Sequence, residues 1–88
     1  MKFIDYINKI KKHLSNPNKT CDEYFKFYME IDSNYPSKNL SYDEEYFVDD
    51  IREVTEYTEY WNKTKHFKKL DEELKKVLAK YGLSLIHI

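Results

Sequence analysis

One glycine and two prolines in 88 residues set the first limit on what this chain can become. Gly82, Pro17 and Pro36 are too few turn-formers for an architecture of many short strands, which needs such residues at most of its reversals. They suit a few long helices joined by short loops. The apolar residues agree, because they recur at three- and four-residue intervals instead of alternating.

From Lys2 to Leu14, the residues Phe3, Ile7, Ile10 and Leu14 form one stripe, with Ile4 and Tyr6 at its flanks and Asp5, Lys9 and Lys12 on the far side. The polar loop Ser15 to Lys19, containing Pro17, ends that helix. Thr20 to Glu23 then reads as a capping box, in which the Thr20 hydroxyl and the Glu23 carboxylate each satisfy the other's backbone N–H. A second helix comes next with Tyr24, Phe27, Tyr28 and Ile31 inward, and it should stop near Ser33, ahead of Tyr35-Pro36. Ser41 to Glu44 repeats the capping box and opens a third helix, with Leu40 placed as a hydrophobic staple. Leu74, Val77, Leu78 and Tyr81 define a fourth, for which Asp71 is the expected N-cap and Gly82 the stop. Trp61 to Lys69 is weaker in helix signal because of Asn62, Lys63 and Thr64, although Phe67 and Leu70 stay in phase with the stripe of the fourth helix.

Four amphipathic helices can hide their apolar stripes only against one another. The prediction is an all-α fold, an antiparallel four-helix bundle, formed by a single domain over residues 1–82. Leu83 to Ile88, LSLIHI, is an apolar tail beyond a clean helix end. Read in frame it resembles the end sequence of a transposon-based sequencing adapter, so residues 83–88 are expected to be non-native.

Several function classes fall away. With Gly82 as the only glycine there is no glycine-rich phosphate loop. Cys21 has no cysteine partner, so no internal disulfide forms and no oxidising compartment is implied. No apolar run reaches the roughly 20 residues of a membrane span, and the N-terminus lacks the apolar stretch of a secretory signal, so a cytoplasmic location is expected. His13, His66 and His87 sit on separate segments with no second ligand at a zinc spacing. A surface or half-buried structural role is expected for His13 and His66. Cys21 lies in a first helical turn, but neighbouring Asp22 and Glu23 oppose thiolate formation and no base is evident. No catalytic residue, cofactor or metal is assigned. Fifteen basic residues include a single arginine in a chain of net charge −1, which argues against nucleic acid as a ligand.

The remaining feature is Ser41 to Tyr60, where eight carboxylates stand against Arg52, a local net charge of −7. At 100° per residue Phe47, Ile51, Val54 and Trp61 share the buried side, and Tyr46, Tyr57 and Tyr60 run along one border of the opposite, acidic side. Asp43 and Glu44 are explained by the capping box and by the positive end of the helix dipole. Glu45, Asp49, Asp50, Glu53, Glu56 and Glu59 have no such explanation, and with Tyr57 and Tyr60 they form the expected partner-binding patch. Glu45 with Asp49, and Asp49 with Glu53, are like charges at i,i+4, an arrangement that costs an isolated helix about 0.2–0.5 kcal/mol per pair. They point outward, unlike the carboxylates of bundle metal sites. Repeated carboxylates on a rigid rod imitate a phosphate backbone, and interleaved tyrosines supply amphipathic anchors. Asp71, Glu72 and Glu73 form a second acidic group at an expected helix start.

The chain resembles the small all-helical immunity proteins of the colicin D type, which also occur beside contact-dependent inhibition toxins. The resemblance rests on length, an amphipathic first helix, the second-helix pattern EYFKFY (Glu23 to Tyr28), the acidic third helix and a final helix containing LDEELKKVL (Leu70 to Leu78). It implies a protein, monomeric when free, that binds a cognate toxin's nuclease domain, typically tRNA-cleaving, and covers its cationic active site. The alternatives are a helical interaction module, an antitoxin or a DNA-mimic inhibitor without such a target.

Overall fold

The computed structural model describes residues 1–56 and 64–83, with the side chains of 64–66 outside the description. It contains four helices, α1 (Phe3–Ser15), α2 (Cys21–Ser33), α3 (Tyr42–Thr55) and α4 (Thr64–Lys80), and no strand among the described residues. The expected all-α four-helix bundle is the observed fold.

Helix boundaries are set by local chemistry. At the start of α2 the Thr20 hydroxyl accepts from the Glu23 N–H at 3.2 Å, and the Glu23 carboxylate accepts from the Thr20 N–H at 3.4 Å. At the start of α3, Ser41 and Glu44 make the same exchange at 3.2 and 2.9 Å. Backbone donors that would otherwise be unpaired at each helix start are thereby satisfied. Helix α4 closes in a Schellman motif: Gly82, at φ +71°, donates to the Ala79 carbonyl at 3.1 Å, and Leu83 donates to Leu78 at 2.8 Å. That φ is left-handed, which glycine adopts without a Cβ penalty. Leu83 packs against the core, so the folded body reaches one residue past the boundary expected at 82. Residues 84–88 of the tail lie outside the described residues.

The start of α4 corrects the expectation from sequence. The helix begins at Thr64, seven residues before the expected N-cap, and Asp71 is an interior helical residue, 5 % exposed. A cap residue and an inward-facing carboxylate look alike in sequence, and only its partners separate them.

The core is formed by the predicted stripes: Ile7, Ile10 and Leu14 of α1, Tyr24, Phe27, Tyr28 and Ile31 of α2, Phe47, Val48 and Ile51 of α3, and Phe67, Leu70, Leu74 and Leu78 of α4. Each fully buried member, such as Ile31 or Leu74, contributes about 1.5–3 kcal/mol through burial. The flanks of α1 divide unevenly: Tyr6 is fully buried, whereas Ile4 is 60 % exposed. Lys9, expected on the far side of α1, is half-buried and ion-paired with Glu30 of α2. With the stack of His13 on Phe27, that pair sets α1 and α2 antiparallel. Three helix ends converge on α3. Phe3 and Tyr6 of α1 and Tyr81 after α4 meet Phe47 edge-on, and Asp32 near the end of α2 accepts from the Thr55 hydroxyl at 3.2 Å. One side of α3 is therefore covered along its length, and the opposite side stays clear.

Candidate functional site

The clear side of α3 carries Tyr42, Glu45, Tyr46, Asp49, Glu53 and Glu56, all exposed. Their spacing keeps them on one ridge opposite Phe47, Val48, Ile51 and Thr55, which are buried. Glu45, Asp49, Glu53 and Glu56 make no ion pair among the described residues. Tyr42 and Tyr46 are 81 % and 61 % exposed. They lie seven and three residues before Asp49, so the helical phase that selects the acids also reaches them. Tyr46 has the border position that helical phase predicts, but the tyrosines expected in the patch itself are Tyr57 and Tyr60, and Tyr42 is an addition. Tyr57, Glu59 and Tyr60 lie outside the described residues.

Asp50 stands apart from the ridge. It is half-buried against the end of α4, where its Oδ2 accepts from the Tyr81 hydroxyl at 2.7 Å and from Lys80 Nζ at 3.1 Å. The Tyr81 hydrogen bond does most to hold the Asp50 carboxyl below the usual range; partial burial opposes it and Lys80 assists. Reciprocally, the Tyr81 phenol is pushed up to about 12, chiefly by its bond to Asp50. Asp50 is thus engaged in fastening α3 to α4, an attachment that helical phase alone did not disclose.

A depression of about 420 Å³ beside the ridge is lined by Asp32, Asp49, Arg52, Glu53 and Glu56. Asp32 comes from α2, so no local pattern in α3 announces it. The Arg52 guanidinium lies over the Tyr35 ring, 4.1 Å from its centroid, and makes no ion pair among the described residues.

The second acidic group divides. Glu72 is exposed and Glu73 pairs with Lys76 at 3.2 Å, while Asp71 is the acceptor of a buried network. Its Oδ1 lies 2.8 Å from His13 Nε2 and 2.5 Å from the Tyr28 hydroxyl, and its Oδ2 lies 2.9 Å from Lys19 Nζ. An ionised carboxylate only accepts, so His13 Nε2 carries a hydrogen here. Lys19 also donates to the His13 carbonyl at 3.0 Å. The His13 ring stacks on Phe27 with centroids 3.7 Å apart. The expected surface or half-buried place for His13 is corrected: it is buried, because Asp71 supplies the partner that burial demands. Burial alone would raise the Asp71 carboxyl, but hydrogen bonds from His13, Tyr28 and Lys19 outweigh it and hold the group below the usual range. The Tyr28 phenol is raised, first by burial and then by the Asp71 charge.

Among the described residues no group of three or more His, Cys, Asp or Glu side chains is arranged to hold a metal ion, and no helix is long and apolar enough to cross a membrane. The chain matches no protein-family model, no curated protein and no solved structure.

Proposed function

We propose that this protein is an immunity protein that binds a cationic nuclease toxin, of the tRNA-cleaving type, and blocks its active site with the outward face of α3. The observation that carries the reading is the uncovered ridge itself, on which Glu45, Asp49, Glu53 and Glu56 are exposed beside Tyr42 and Tyr46. Successive i,i+4 carboxylates stand about 6 Å apart along a rigid helix, offering a phosphate-binding groove a regular row of negative charge. Such a field accelerates encounter with a cationic partner by roughly 10- to 1,000-fold. Tyr42 and Tyr46 add apolar contact area at low entropic cost, a property of residues that dominate binding energy at interfaces. The like-charge pairs Glu45–Asp49 and Asp49–Glu53 oppose α3 formation by about 0.2–0.5 kcal/mol each, and a binding role explains why they stand there.

The test is co-expression with the C-terminal domain of a toxin whose gene adjoins that of this protein, as the proposal requires, read out by growth and by tRNA cleavage. The protein is expected to co-purify with the domain and suppress cleavage. Asp49→Lys with Glu53→Lys should weaken binding at least tenfold, mainly through slower association. Folding stability should stay within about 0.5 kcal/mol, because both side chains are exposed. An unchanged affinity would reduce the ridge to a solvated helix face.

A further inference from the structure

We propose that the groove between α1 and α2 binds a tetrahedral oxyanion, of the phosphate or phosphate-monoester class, and that His13 takes up a proton as it binds. The groove holds about 860 Å³, and among the described residues its lining comes from α1, α2 and the loop between them, with nothing from α3. It is independent of the acidic ridge. Three pairs bridge the two helices along it: Lys9 with Glu30, His13 stacked on Phe27, and Asn16 donating to Glu23 at 3.3 Å.

Two side chains in this lining are more than nine-tenths buried and still have hydrogen-bonding capacity left. The His13 side chain, 6 % exposed, commits its Nε2 hydrogen to Asp71, and its Nδ1 has no hydrogen-bond partner among the described residues. The Tyr6 hydroxyl is the one buried side-chain polar atom left without a partner among the described residues. His13 Nδ1 is therefore not sealed in the core, and it meets solvent where His13 lines the groove. Lys19, 7 % exposed, donates to Asp71 at 2.9 Å and to the His13 carbonyl at 3.0 Å. An ammonium has three donors, so one remains.

Two further cations reach the same groove from opposite helices. Lys12 precedes His13 on α1 and Lys26 precedes Phe27 on α2, and both are exposed and without an ion pair among the described residues. The carboxylates of the lining are mostly engaged: Glu30 pairs with Lys9, and Glu23 accepts from Thr20 and Asn16. Asp5 is not, but eight residues of helix set it about 12 Å from His13 along α1.

Charge selects the ligand. A neutral His13 with its hydrogen on Nε2 shows only a lone pair at Nδ1, which repels an anion. A proton at Nδ1 turns that atom into a donor and leaves the bond to Asp71 intact. Around the ring, Asp71 of α4 and Lys19 of the loop are charged and pair with each other. Tyr24 and Tyr28 of α2 meet the ring edge-on, and burial pushes up both phenols, so they stay neutral. The imidazolium, Lys12, Lys19 and Lys26 then offer separate charged donors, which suit the several acceptor oxygens of a phosphate-like ion better than a spherical halide.

The experiment uses the full chain labelled with ¹⁵N and titrated with sodium sulfate, which stays a dianion throughout the neutral range, against sodium chloride at matched ionic strength. Sulfate is expected to shift the amide signals of Lys12, His13, Lys19 and Lys26 to saturation and to move the His13 Nδ1 signal to its protonated position, with chloride doing neither. Because binding takes up a proton, affinity should rise at least threefold from about pH 8 to about pH 6. Lys12→Ala and Lys26→Ala, at exposed positions, should each weaken sulfate binding at least threefold, and Lys75→Ala, exposed on α4, should leave it unchanged. His13→Gln keeps a donor for Asp71 and should abolish the pH dependence. At about pH 8, where both are dianions, tighter binding of phenyl phosphate than of inorganic phosphate marks an organic phosphate as the ligand, and equal binding marks the free ion. Shifts spread over all surface lysines, an equal response to chloride, a pH-independent affinity, or no effect of Lys12→Ala and Lys26→Ala would each overturn the site.

Discussion

Asp71→Asn tests the least expected feature of this fold. The substitution keeps the volume and one acceptor oxygen but removes the charge that faces Lys19, whose side chain is only 7 % exposed. An asparagine oriented to accept from His13 and Tyr28 turns its own N–H groups toward the Lys19 ammonium, leaving that cation buried among donors. Breaking a buried ion pair by removing one partner costs about 3–5 kcal/mol. With one acceptor retained, about 3 kcal/mol is expected. For a domain of this size each kcal/mol moves Tm by about 4–8 °C, so thermal unfolding monitored by circular dichroism at pH 7 should show a fall of about 12–24 °C. The pH dependence supplies an independent check. Because the folded Asp71 carboxyl sits below its unfolded value, its contribution is complete above the unfolded pKa of about 3.9 and is lost as pH falls through the folded one. The gap between wild type and variant should therefore narrow below about pH 4. A loss of less than about 3 °C at pH 7, or a gap that does not change with acid, would refute the account of Asp71 as the acceptor that holds His13, Tyr28 and Lys19 together.

The contacts elsewhere in the bundle carry their own expectations. Alkaline titration of the nine tyrosines by ultraviolet absorbance should show Tyr81 ionising near pH 12, and Asp50→Asn should return it toward 10, since Asp50 is the main cause of its shift. The folded Tyr81 phenol holds its proton more tightly than the unfolded one, so its contribution to stability is complete below about pH 10 and declines as pH rises from there toward 12. Ser41→Ala removes the α3 cap and should cost about 1 kcal/mol in a urea melt, with Thr20→Ala behaving alike at α2. Gly82→Ala meets no atom within 4 Å of the new Cβ, so its cost should be the left-handed backbone alone, about 1–2 kcal/mol.

The ridge and the depression beside it have different sources in the chain. Every ridge residue belongs to α3 or, for Glu56, to its C-cap, and helical phase orders Glu45, Asp49, Glu53 and Glu56 from sequence alone. The same phase puts Tyr46, with Tyr57 and Tyr60, on the border of the acidic face, and it also includes Tyr42. Asp32 cannot be found that way. It reaches the depression because the end of α2 meets the end of α3, a placement fixed by contacts across 23 positions of chain, among them Thr55 to Asp32.

Sequence by itself determined the elements: scarce glycine and proline dictated long helices, two capping boxes fixed where α2 and α3 begin, Gly82 fixed where α4 ends, and apolar periodicity selected nearly all of the core. These are local properties, set by backbone conformation and by neighbours three or four residues away. Tertiary structure alone decided the fate of the polar residues that the bundle engages. Asp71 reads as a cap until His13, Lys19 and Tyr28 close around it, and Asp50 reads as a ridge carboxylate until Lys80 and Tyr81 bind it. A charged side chain has no intrinsic inside or outside. Its place depends on whether distant partners repay the loss of water, and those partners are known only when the helices have met.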